Sequence, residues 1–474
     1  MTDSIVIHWF RRDLRLSDNL ALNAALNSGK PVVPLFIVDP AILNSSRIGK
    51  PRVAFMLKGL RALDAALRAR GSHLLVQWGN PRVVLPTLVD ELNAKAVYFN
   101  RDYSPFARRR DAAVESSLSV PVFAYDDALL HAPGQVLKAD ESPYVVYTPF
   151  KKRWMMLPDP PFPATTASGS FYPAVRLPDS FIPTLADLGL GTTVDVPAAG
   201  EEVAQRQMAR FVAGPIFHYD TARNSLNTDP FTSAALPGTS GLSPYFRFGM
   251  LSPRQGYWAA RGALDVSDDD ERPRQSVITW IDELIWREFY MHILYHFPYV
   301  MRGNFRTEYD ALPWRNAPDD LQAWKDGQTG YPVVDAAMRQ LRQTGWMPNR
   351  ARMIVASFLT KDLLIRWQEG ERHFMCWLMD GDPAANNGGW QWAAGTGTDA
   401  QPYFRIFHPV SQSQKYDPDG DYIRRWVPEL RDVPARFIHT PWQMAVPPAG
   451  YPPPVVDHAL ARERTLAAFK ALKR

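Results

Sequence analysis

Cysteine and long apolar runs are scarce in this sequence. Only one of the 474 residues, Cys376, is a cysteine, so no disulfide can form within the chain and a reducing, cytoplasmic location is expected. No uncharged stretch approaches the roughly eighteen residues of a membrane-spanning helix. The start, MTDSIVIHWFRRD, has no apolar run behind basic residues. We therefore expect neither membrane insertion nor secretion.

The signature patterns of several large enzyme classes are also missing. The ten histidines form no H-E-x-x-H or Cys/His cluster, so no metal site is expected. Neither a G-x-S-x-G motif nor a Walker loop is present. The first apolar segment runs into RRDLRLSDN and not into G-x-G-x-x-G, which disfavours a conventional NAD-binding domain.

The composition is that of a globular protein with many tryptophans. Hydrophobic residues make up 46% and charged residues 22%, and the net charge of +4 gives a pI near 9.0. This balance permits an anionic partner such as nucleic acid but does not require one. Fifteen tryptophans, dense in the C-terminal half, raise the question of stacking or redox use.

Five short apolar segments predict buried strands at residues 5–10, 31–38, 73–78, 96–100 and 120–125. Amphipathic helical patterns such as VAFMLKGLRALDAALRARG separate them. Strands that alternate with helices predict an α/β N-terminal domain with a doubly wound parallel sheet, at residues 1–130.

The rest of the chain divides by composition. Residues 131–200 are rich in Pro, Ser and Ala and predict a long interdomain connector with one short helix near TPFKKRWMM. Helical spacing without strands follows, including residues 280–297 and 348–367. It predicts an all-α C-terminal domain at residues 201–474.

The segment DGDPAANNGGWQWAAGTGTDAQPYFRIFHPV, residues 380–410, crowds carboxylates, amides and indoles together. Gly and Asn mark turns in any fold, so one interpretation is a polar loop with two buried tryptophans. The other is the wall of a site for a large, flat, nitrogen-rich ligand, because amides and carboxylates pair with a heterocycle edge and indoles stack on its faces.

Three further segments place polar and aromatic side chains at helical spacing or at a helix start. In GTSGLSP, Ser243 is the predicted N-cap and Pro244 the first helical residue; the turn is either a phosphate site or an ordinary cap. WIDELIWREFY and MPNRARM each put their polar residues along one side of a helix. Surface ion pairs and core packing explain such spacing equally well.

These segments, together with TGYPVVDAAMRQL and the N-terminal HWFRRDLRLSDN, resemble the photolyase and cryptochrome flavoproteins. The similarity is greatest to the class I cyclobutane pyrimidine dimer photolyases of microbes. The resemblance implies a carbon–carbon lyase of DNA repair with bound FAD. Light-excited reduced FAD would pass an electron to a flipped-out dimer, the ring would split, and the electron would return.

The resemblance also implies roles for individual residues. The expected FAD contacts are Tyr219, Thr239, Ser240, Gly241, Leu242, Ser243, Trp280, Arg287, Arg352, Asp380, Asp382 and Asn386. Glu283 and Asn386 are expected to act on the dimer and on the flavin, and Trp390, Trp367 and Trp314 to carry electrons to the flavin. The expected DNA and lesion contacts are Arg223, Glu283, Trp286, Asn349, Arg350, Met353, Trp392, Arg405 and Gln412, with Lys415 nearby.

The chain departs from the family pattern at two places: Pro348 stands where the family usually has His, and the insert between Arg223 and Thr239 is longer. A second, antenna chromophore is expected, either a folate, a deazaflavin or a flavin. Its candidate contacts are Arg52, Asp102 and Arg109. The expected partner is DNA containing cyclobutane pyrimidine dimers, bound at the nucleoid by a monomer that needs no obligate protein partner.

Three other functions stay open. A cryptochrome-like blue-light photoreceptor would use the same FAD site but signal to a protein, and the presence of Glu283, Trp286 and Trp392 argues against it. A six-four photolyase would carry histidines at the positions of Asn349 and Met353. A flavin-dependent redox enzyme would consume a small-molecule electron donor in each turnover.

Overall fold

The computed structural model describes residues 4–231, 238–266 and 271–472, and part of the insert between Arg223 and Thr239 lies outside them. The chain divides into two compact units. The first comprises the residues up to Phe217 together with Ser240–His296, and the second comprises His218–Thr239 and the residues from Phe297 onward. The domain boundaries predicted at residues 130 and 200 stay predictions.

The first unit contains a five-stranded parallel sheet. Its strands are β1 (Ile5–Phe10), β2 (Val32–Val38), β3 (Leu75–Trp78), β4 (Ala94–Asn100) and β5 (Val122–Tyr125). The order is β3-β2-β1-β4-β5 and every pairing is parallel. The central strands β1 and β2 are buried along their whole length, as expected of a sheet with both faces covered. The predicted doubly wound sheet is confirmed.

Seven α-helices precede the second unit in the described part of the chain. They are α1 (Leu20–Leu26), α2 (Pro40–Leu43), α3 (Lys50–Arg68), α4 (Pro81–Glu91), α5 (Pro105–Glu115), α6 (Tyr147–Trp154) and α7 (Glu201–Val212). The helix expected near TPFKKRWMM is therefore present as α6. After it the chain has no further strand or α-helix before α7 among the described residues, and Ser170 and Tyr172 hydrogen-bond to Val32 of β2.

The remainder of the described chain is helical, which confirms the predicted all-α class. The helices are α8 (Tyr219–Ala222), α9 (Ser243–Arg247), α10 (Pro253–Asp265), α11 (Glu271–His296), α12 (Pro318–Asp326), α13 (Pro332–Thr344), α14 (Asn349–Ser357), α15 (Trp367–Trp377), α16 (Pro383–Ala394), α17 (Pro409–Tyr416), α18 (Asp421–Trp426) and α19 (His458–Ala471). Of these, α9, α10 and α11 belong to the first unit. Among the described segments, no helix combines the length and apolarity needed to cross a membrane.

The helical spacing over residues 348–367 does not correspond to one continuous α-helix. The α-helix ends at Ser357, a π-helical turn covers Phe358–Asp362, and α15 begins only at Trp367. Leu364 has φ of 50°, a left-handed backbone conformation in which an α-helix cannot continue. Buried apolar residues occur on both sides of the break, so the hydrophobic spacing did not reveal it.

Candidate functional site

Helix α16 contains most of the residues that the sequence singled out around position 390. It begins at Asp382, whose carboxylate accepts hydrogen bonds from the N–H groups of Ala384 and Ala385 at 2.9 and 3.4 Å. It ends at Gly395, where φ is 77°. The alternative of a Gly-rich loop is therefore wrong. The cap and the buried tryptophan outweigh a cost of about 0.5–1 kcal/mol for each glycine inside the helix.

The side chains of α16 divide between core and surface. Asn386 and Trp390 stand four residues apart and share one side of the helix, and Trp390 is buried. The Asn386 amide nitrogen donates to the Glu371 carbonyl of α15 at 3.0 Å, which fixes the direction of the amide. Trp392 lies on another side of the helix and is half-buried. The helix thus provides one core indole and one partly accessible indole.

An ion pair connects the start of α14 to the segment before α16. The Arg352 guanidinium meets the buried Asp380 carboxylate at 2.8 Å and also donates to the Met347 carbonyl at 2.9 Å. Pro348 is the N-cap of α14, with φ of −58°, so the backbone tolerates proline there as expected. The pair holds a guanidinium and a carboxylate next to each other.

Three tryptophans of the second unit differ in exposure. Trp390 and Trp367 belong to one buried cluster, whereas Trp314 packs against that cluster and remains partly exposed. The Trp367 indole N–H donates to the Asn304 side-chain oxygen at 2.8 Å. The Trp390 ring meets Phe374 edge to face, with ring centroids 4.9 Å apart. Two core indoles and one near the surface are what a route for electrons from solvent to a buried acceptor requires.

Arg223 and Arg350 lie within electrostatic reach of each other. Arg350 donates to the Asn224 side chain at 2.6 Å, and its guanidinium lies 4.4 Å from the Tyr416 ring centroid. Burial and the positive charge of Arg223 lower the pKa of Arg350. Two guanidinium groups that repel each other are stabilised by an anion, so this pair favours a phosphate.

The other DNA contacts predicted in the second unit differ in their exposure and in their contacts with this group. Gln412 is four residues before Tyr416 on α17 and therefore on the same side of that helix. Its side-chain oxygen is buried and has no hydrogen-bond donor among the described residues. Asn349 is exposed and Met353 half-buried. Arg405 and Lys415 are exposed. The Lys415 ammonium lies 5.2 Å from the centroid of the Tyr416 ring that Arg350 also contacts.

In the first unit, α11 contains four of the predicted residues. Trp280 is buried and packs on Phe211, with ring centroids 5.6 Å apart. Glu283, Trp286 and Arg287 are half-buried, and the Arg287 guanidinium donates to the Ala128 carbonyl at 2.8 Å. The predicted helical spacing is confirmed, because all four residues belong to one uninterrupted helix.

The plane of the Trp286 indole is fixed by a residue that the sequence did not indicate. Tyr147 of α6 stacks on it, with ring centroids 3.6 Å apart and an interplanar angle of 6°. The Tyr147 hydroxyl donates to the Asp282 carbonyl at 3.1 Å, and Lys151 pairs with the Asp282 carboxylate at 2.6 Å. Two turns of α6 therefore hold Trp286 in place next to Glu283.

The turn at residues 239–243 differs from the prediction. Helix α9 starts at Ser243 with Leu242 as its N-cap, so Ser243 is the first helical residue and not the cap. Leu242 already has a nearly helical backbone, with φ of −86° and ψ of −9°, which moves the helix start by one residue. Gly241 has φ of 64°, a conformation that glycine adopts without strain. The Ser240 carbonyl accepts from Gln207 at 2.8 Å.

The predicted antenna contacts differ in exposure. Asp102 follows β4 and pairs with Arg12, which follows β1, at 3.5 Å. Burial opposes ionisation, but Arg12 and Arg247 hold the pKa of Asp102 well below its usual range. Arg52 is buried and Arg109 exposed. The strand order reverses between β1 and β4, and parallel sheets bind ligands outside the carboxyl ends of their strands at such a point.

Tyr147 and Asn304 are the two site residues that sequence reasoning missed. Each contacts its tryptophan across a long separation in the chain, 63 residues in the case of Asn304 and Trp367. No local pattern signals such a contact. Only the apolar side of TPFKKRWMM, which predicts that α6 packs on another element, gave an indirect indication for Tyr147.

The hydrogen-bonding groups of these segments fit the FAD that the resemblance implies. Buried Asp380, paired with Arg352, offers a carboxylate for hydroxyl or ring N–H groups, and Asn386 offers an amide of fixed direction. No group of three or more His, Cys, Asp or Glu residues that could hold a metal ion occurs in the described parts of the chain.

Comparisons with known proteins identify the family of this chain. A model of the FAD-binding domain of DNA photolyase matches residues 280–471, and a DNA photolyase model matches residues 6–167. A deoxyribodipyrimidine photo-lyase from Synechococcus is 43% identical over 99% of this chain and 97% of its own length.

Two solved structures share the fold. A class III photolyase from Agrobacterium tumefaciens has a TM-score of 0.90 and 37% identity, over 100% of this chain and 98% of its own. An archaeal photolyase from Sulfolobus tokodaii, solved with two FAD molecules, has a TM-score of 0.82 and 32% identity, over 98% of this chain and 99% of its own. The chain belongs to the photolyase and cryptochrome family.

Proposed function

We propose that this protein repairs cyclobutane pyrimidine dimers in DNA in a reaction driven by light. Bound FAD, in its reduced form, supplies the light absorption and the electron that splits the dimer, and the electron returns afterwards. The protein binds the lesion, excludes water from it and orients it. A damaged, poorly stacked dimer is easier to flip out of the duplex than normal bases.

The observation that carries the proposal is that Glu283 stands one helical turn from an indole whose orientation is already fixed. Trp286 is half-buried and stacked on Tyr147, so its ring is already ordered before any base reaches it. Stacking of a base on an aromatic ring contributes about 1–3 kcal/mol. Glu283 stands three residues earlier on the same helix, and we assign it hydrogen bonds to the bases of the dimer.

Residues of the second unit have complementary roles in the proposal. Arg352 and Asp380 would hold FAD through their charges, and Asn386 would offer its amide to the flavin ring, one nitrogen of which gains a proton on reduction. We assign the lesion pocket to Trp392, Asn349 and Met353. Arg223 and Arg350 bind DNA phosphate, and their mutual repulsion supports this assignment.

The three tryptophans prepare the flavin for repair. In this proposal electrons pass from Trp314 at the surface through Trp367 to Trp390 and then to the oxidised flavin. Exposure supports Trp314 as the outer end of the route, since it is the partly exposed member and the other two are buried. The order of Trp367 and Trp390 rests on the family resemblance. Repair itself does not consume these electrons.

A second chromophore is proposed at the carboxyl ends of β1 and β4, with Asp102 and Arg52 as contacts. The candidates are a folate, a deazaflavin and a flavin, and the absorption spectrum of the material released by heating the purified protein distinguishes them. We further propose a monomer that acts at the nucleoid in the cytoplasm, because its substrate is chromosomal DNA. Light scattering of the free and DNA-bound protein checks the monomer.

The cryptochrome-like alternative makes a different prediction. A signalling photoreceptor would bind FAD and respond to light without loss of dimers. The half-buried positions of Glu283, Trp286 and Trp392 favour repair, because each leaves a lesion-binding group partly accessible.

The substitution Glu283→Gln tests the proposal. It keeps the size of the side chain and removes the charge, so we expect unchanged FAD content and dimer affinity within a few fold, but at least about tenfold less repair per absorbed photon. The matched control is Glu271→Gln, the same change at the exposed start of the same helix, which should leave repair unchanged. Equal repair by Glu283→Gln and the wild type would contradict the role of Glu283.

A further inference from the structure

The indole N–H groups of the two buried tryptophans have different surroundings. The Trp367 N–H donates to the side-chain oxygen of Asn304 at 2.8 Å. The Trp390 N–H is buried and has no acceptor among the described residues. Both rings lie in the same buried cluster. The tryptophans are therefore matched in burial but not in hydrogen bonding.

The orientation of the Asn304 amide is fixed by Asp310. The backbone N–H and the side-chain NH₂ of Asn304 both donate to one Asp310 oxygen, at 2.9 and 2.7 Å. A carboxylate only accepts hydrogen bonds, so the amide nitrogen must face Asp310 and the amide oxygen must face Trp367. Asn304 itself is 2% exposed. The acceptor for the Trp367 N–H cannot turn away without loss of the bond to Asp310.

The loop that contains Asn304 is attached to the helix that contains Trp390. The Gln391 side chain accepts from the Phe305 N–H at 2.7 Å and donates to the Val300 carbonyl at 3.1 Å. Asn387 donates to the same carbonyl at 3.0 Å. Asn387 and Gln391, in the same helix as Trp390, thus hold the loop of Asn304 in position.

We propose that Asn304 is a positioning residue for photoreduction. Its hydrogen bond makes the oxidised, positively charged form of Trp367 more stable than that of Trp390. This inference rests on the electron route given under Proposed function. Loss of an electron makes an indole N–H a charged donor, and hydrogen bonds of charged groups are roughly twice as strong as neutral ones. The bond to Asn304 therefore strengthens when Trp367 is oxidised, whereas Trp390 gains no such stabilisation.

The electrons balance with a thiol as the external reductant. Trp390 gives one electron to light-excited oxidised FAD and takes one from Trp367. Trp367 takes one from Trp314, and the thiol gives one electron to Trp314 and releases its proton. Two such events oxidise two thiol groups to a disulfide and deliver the two electrons that full reduction of the flavin requires. The N–H proton of Trp367 stays on the indole nitrogen, shared with Asn304, since an amide oxygen is too weak a base to remove it. The positive charge moves outward because Trp367 holds it at lower free energy.

The substitution Asn304→Leu removes the acceptor, and Gln340→Leu is its matched control. Gln340 is also a buried amide, 3% exposed, and its oxygen accepts from the Tyr422 hydroxyl at 2.7 Å. In oxidised protein with dithiothreitol under blue light, we expect Asn304→Leu to photoreduce about tenfold more slowly than wild type. Gln340→Leu should photoreduce at the wild-type rate.

A second measurement needs no flavin chemistry. In protein labelled with ¹⁵N-tryptophan, the indole N–H signal of Trp367 is the one missing from Trp367→Phe. Asn304→Leu should move that signal upfield, as loss of a hydrogen bond does, and Gln340→Leu should leave it in place. If the signal moves in Asn304→Leu but photoreduction keeps the wild-type rate, the proposal is overturned. It is also overturned if Asn304→Leu and Gln340→Leu lose photoreduction equally.

The proposed repair activity is measured separately. Protein reduced with dithionite does not need the tryptophan route, so wild type and Asn304→Leu should remove dimers equally well in light. If neither removes dimers, the repair proposal fails while the photoreduction comparison still decides the role of Asn304. If Asn304→Leu does not fold, Asp310→Ala replaces it, because Asp310 is exposed and alanine leaves the Asn304 amide without its acceptor. We expect photoreduction to slow severalfold, and an unchanged rate would overturn the proposal.

Discussion

Gly370 lies inside α15, where its missing side chain makes room for Trp390. A Cβ atom built at this position would lie 2.1 Å from Cη2 of the Trp390 ring and 2.4 Å from its Cζ3. Trp390 is 2% exposed and meets Phe374 and Trp324 edge to face. The rigid ring cannot yield without displacing its neighbours. We therefore predict that Gly370→Ala shifts the indole that stands closest to the flavin in the proposed route.

The expected loss of stability follows from two opposing effects. Alanine in place of glycine inside a helix stabilises by about 0.5–1 kcal/mol. Overpacking of a buried core destabilises by about 1–3 kcal/mol, and a contact this short belongs at the upper end. The net loss is therefore about 2–2.5 kcal/mol. For a unit of this size, a loss of 1 kcal/mol lowers Tm by about 2–4 °C.

Thermal unfolding of the FAD-bound protein measures this loss, and Gly262→Ala in α10 is its control. A Cβ atom at Gly262 would have no neighbour within 4 Å, so we expect unchanged or higher stability there. Gly370→Ala should lower Tm and slow photoreduction of oxidised flavin, while Gly262→Ala should do neither. If Gly370→Ala raised Tm as Gly262→Ala does, the argument from the close contact with Trp390 would be refuted.

Three further predictions concern electron transfer, pH and salt. Trp390→Phe should slow photoreduction but spare repair by prereduced protein; equal loss of both would contradict its role. Burial lowers the pKa of Lys361 from 10.5 to about 7. Between pH 7 and 10.5 the unfolded state therefore binds more protons than the folded state, and the free energy of unfolding rises with pH by up to about 1.4 kcal/mol per pH unit. Lys361→Met should abolish this rise in denaturant titrations at pH 7 to 10, and an unchanged slope would exclude Lys361 as its source. The affinity for dimer-containing DNA should fall with salt, and Arg350→Ala should reduce the log–log slope by about 0.9 if Arg350 neutralises one phosphate; an unchanged slope would remove Arg350 from the DNA contacts.

The sheet could be predicted from the sequence because its strands are continuous apolar runs. Parallel strands covered on both faces consist of such runs, as β1 and β2 do. The short helices between them carry clear amphipathic spacing. The all-α class of the later chain could also be predicted, because helical spacing continues through it and strand-like alternation is absent.

The break before Trp367 and the helical state of α16 could not be predicted in this way. The π-helical turn at Phe358–Asp362 is buried like the helices on either side, so apolar spacing continues across it. In α16, local preference opposed the helix because of Asn386, Asn387 and two glycines. The cap by Asp382 and the packing of Trp390 decided the outcome. Both features depend on tertiary contacts that no local window contains.

The site was predictable where it consists of side chains along one helix. Trp280, Glu283, Trp286 and Arg287 were expected on one helix and belong to α11. The residues that orient them were not predictable, because Tyr147 and Asn304 reach their tryptophans from distant segments. Sequence spacing thus indicates which groups take part in the chemistry, whereas the structure adds the groups that hold them in place.

The most direct test of the proposed function measures the dimer content of an oligonucleotide with one thymine cyclobutane dimer. The oligonucleotide is incubated with prereduced protein in blue light and in darkness. We predict loss of the dimer in the light and none in the dark. Persistence of the dimer under both conditions, with FAD bound, would contradict a repair function and favour a signalling photoreceptor.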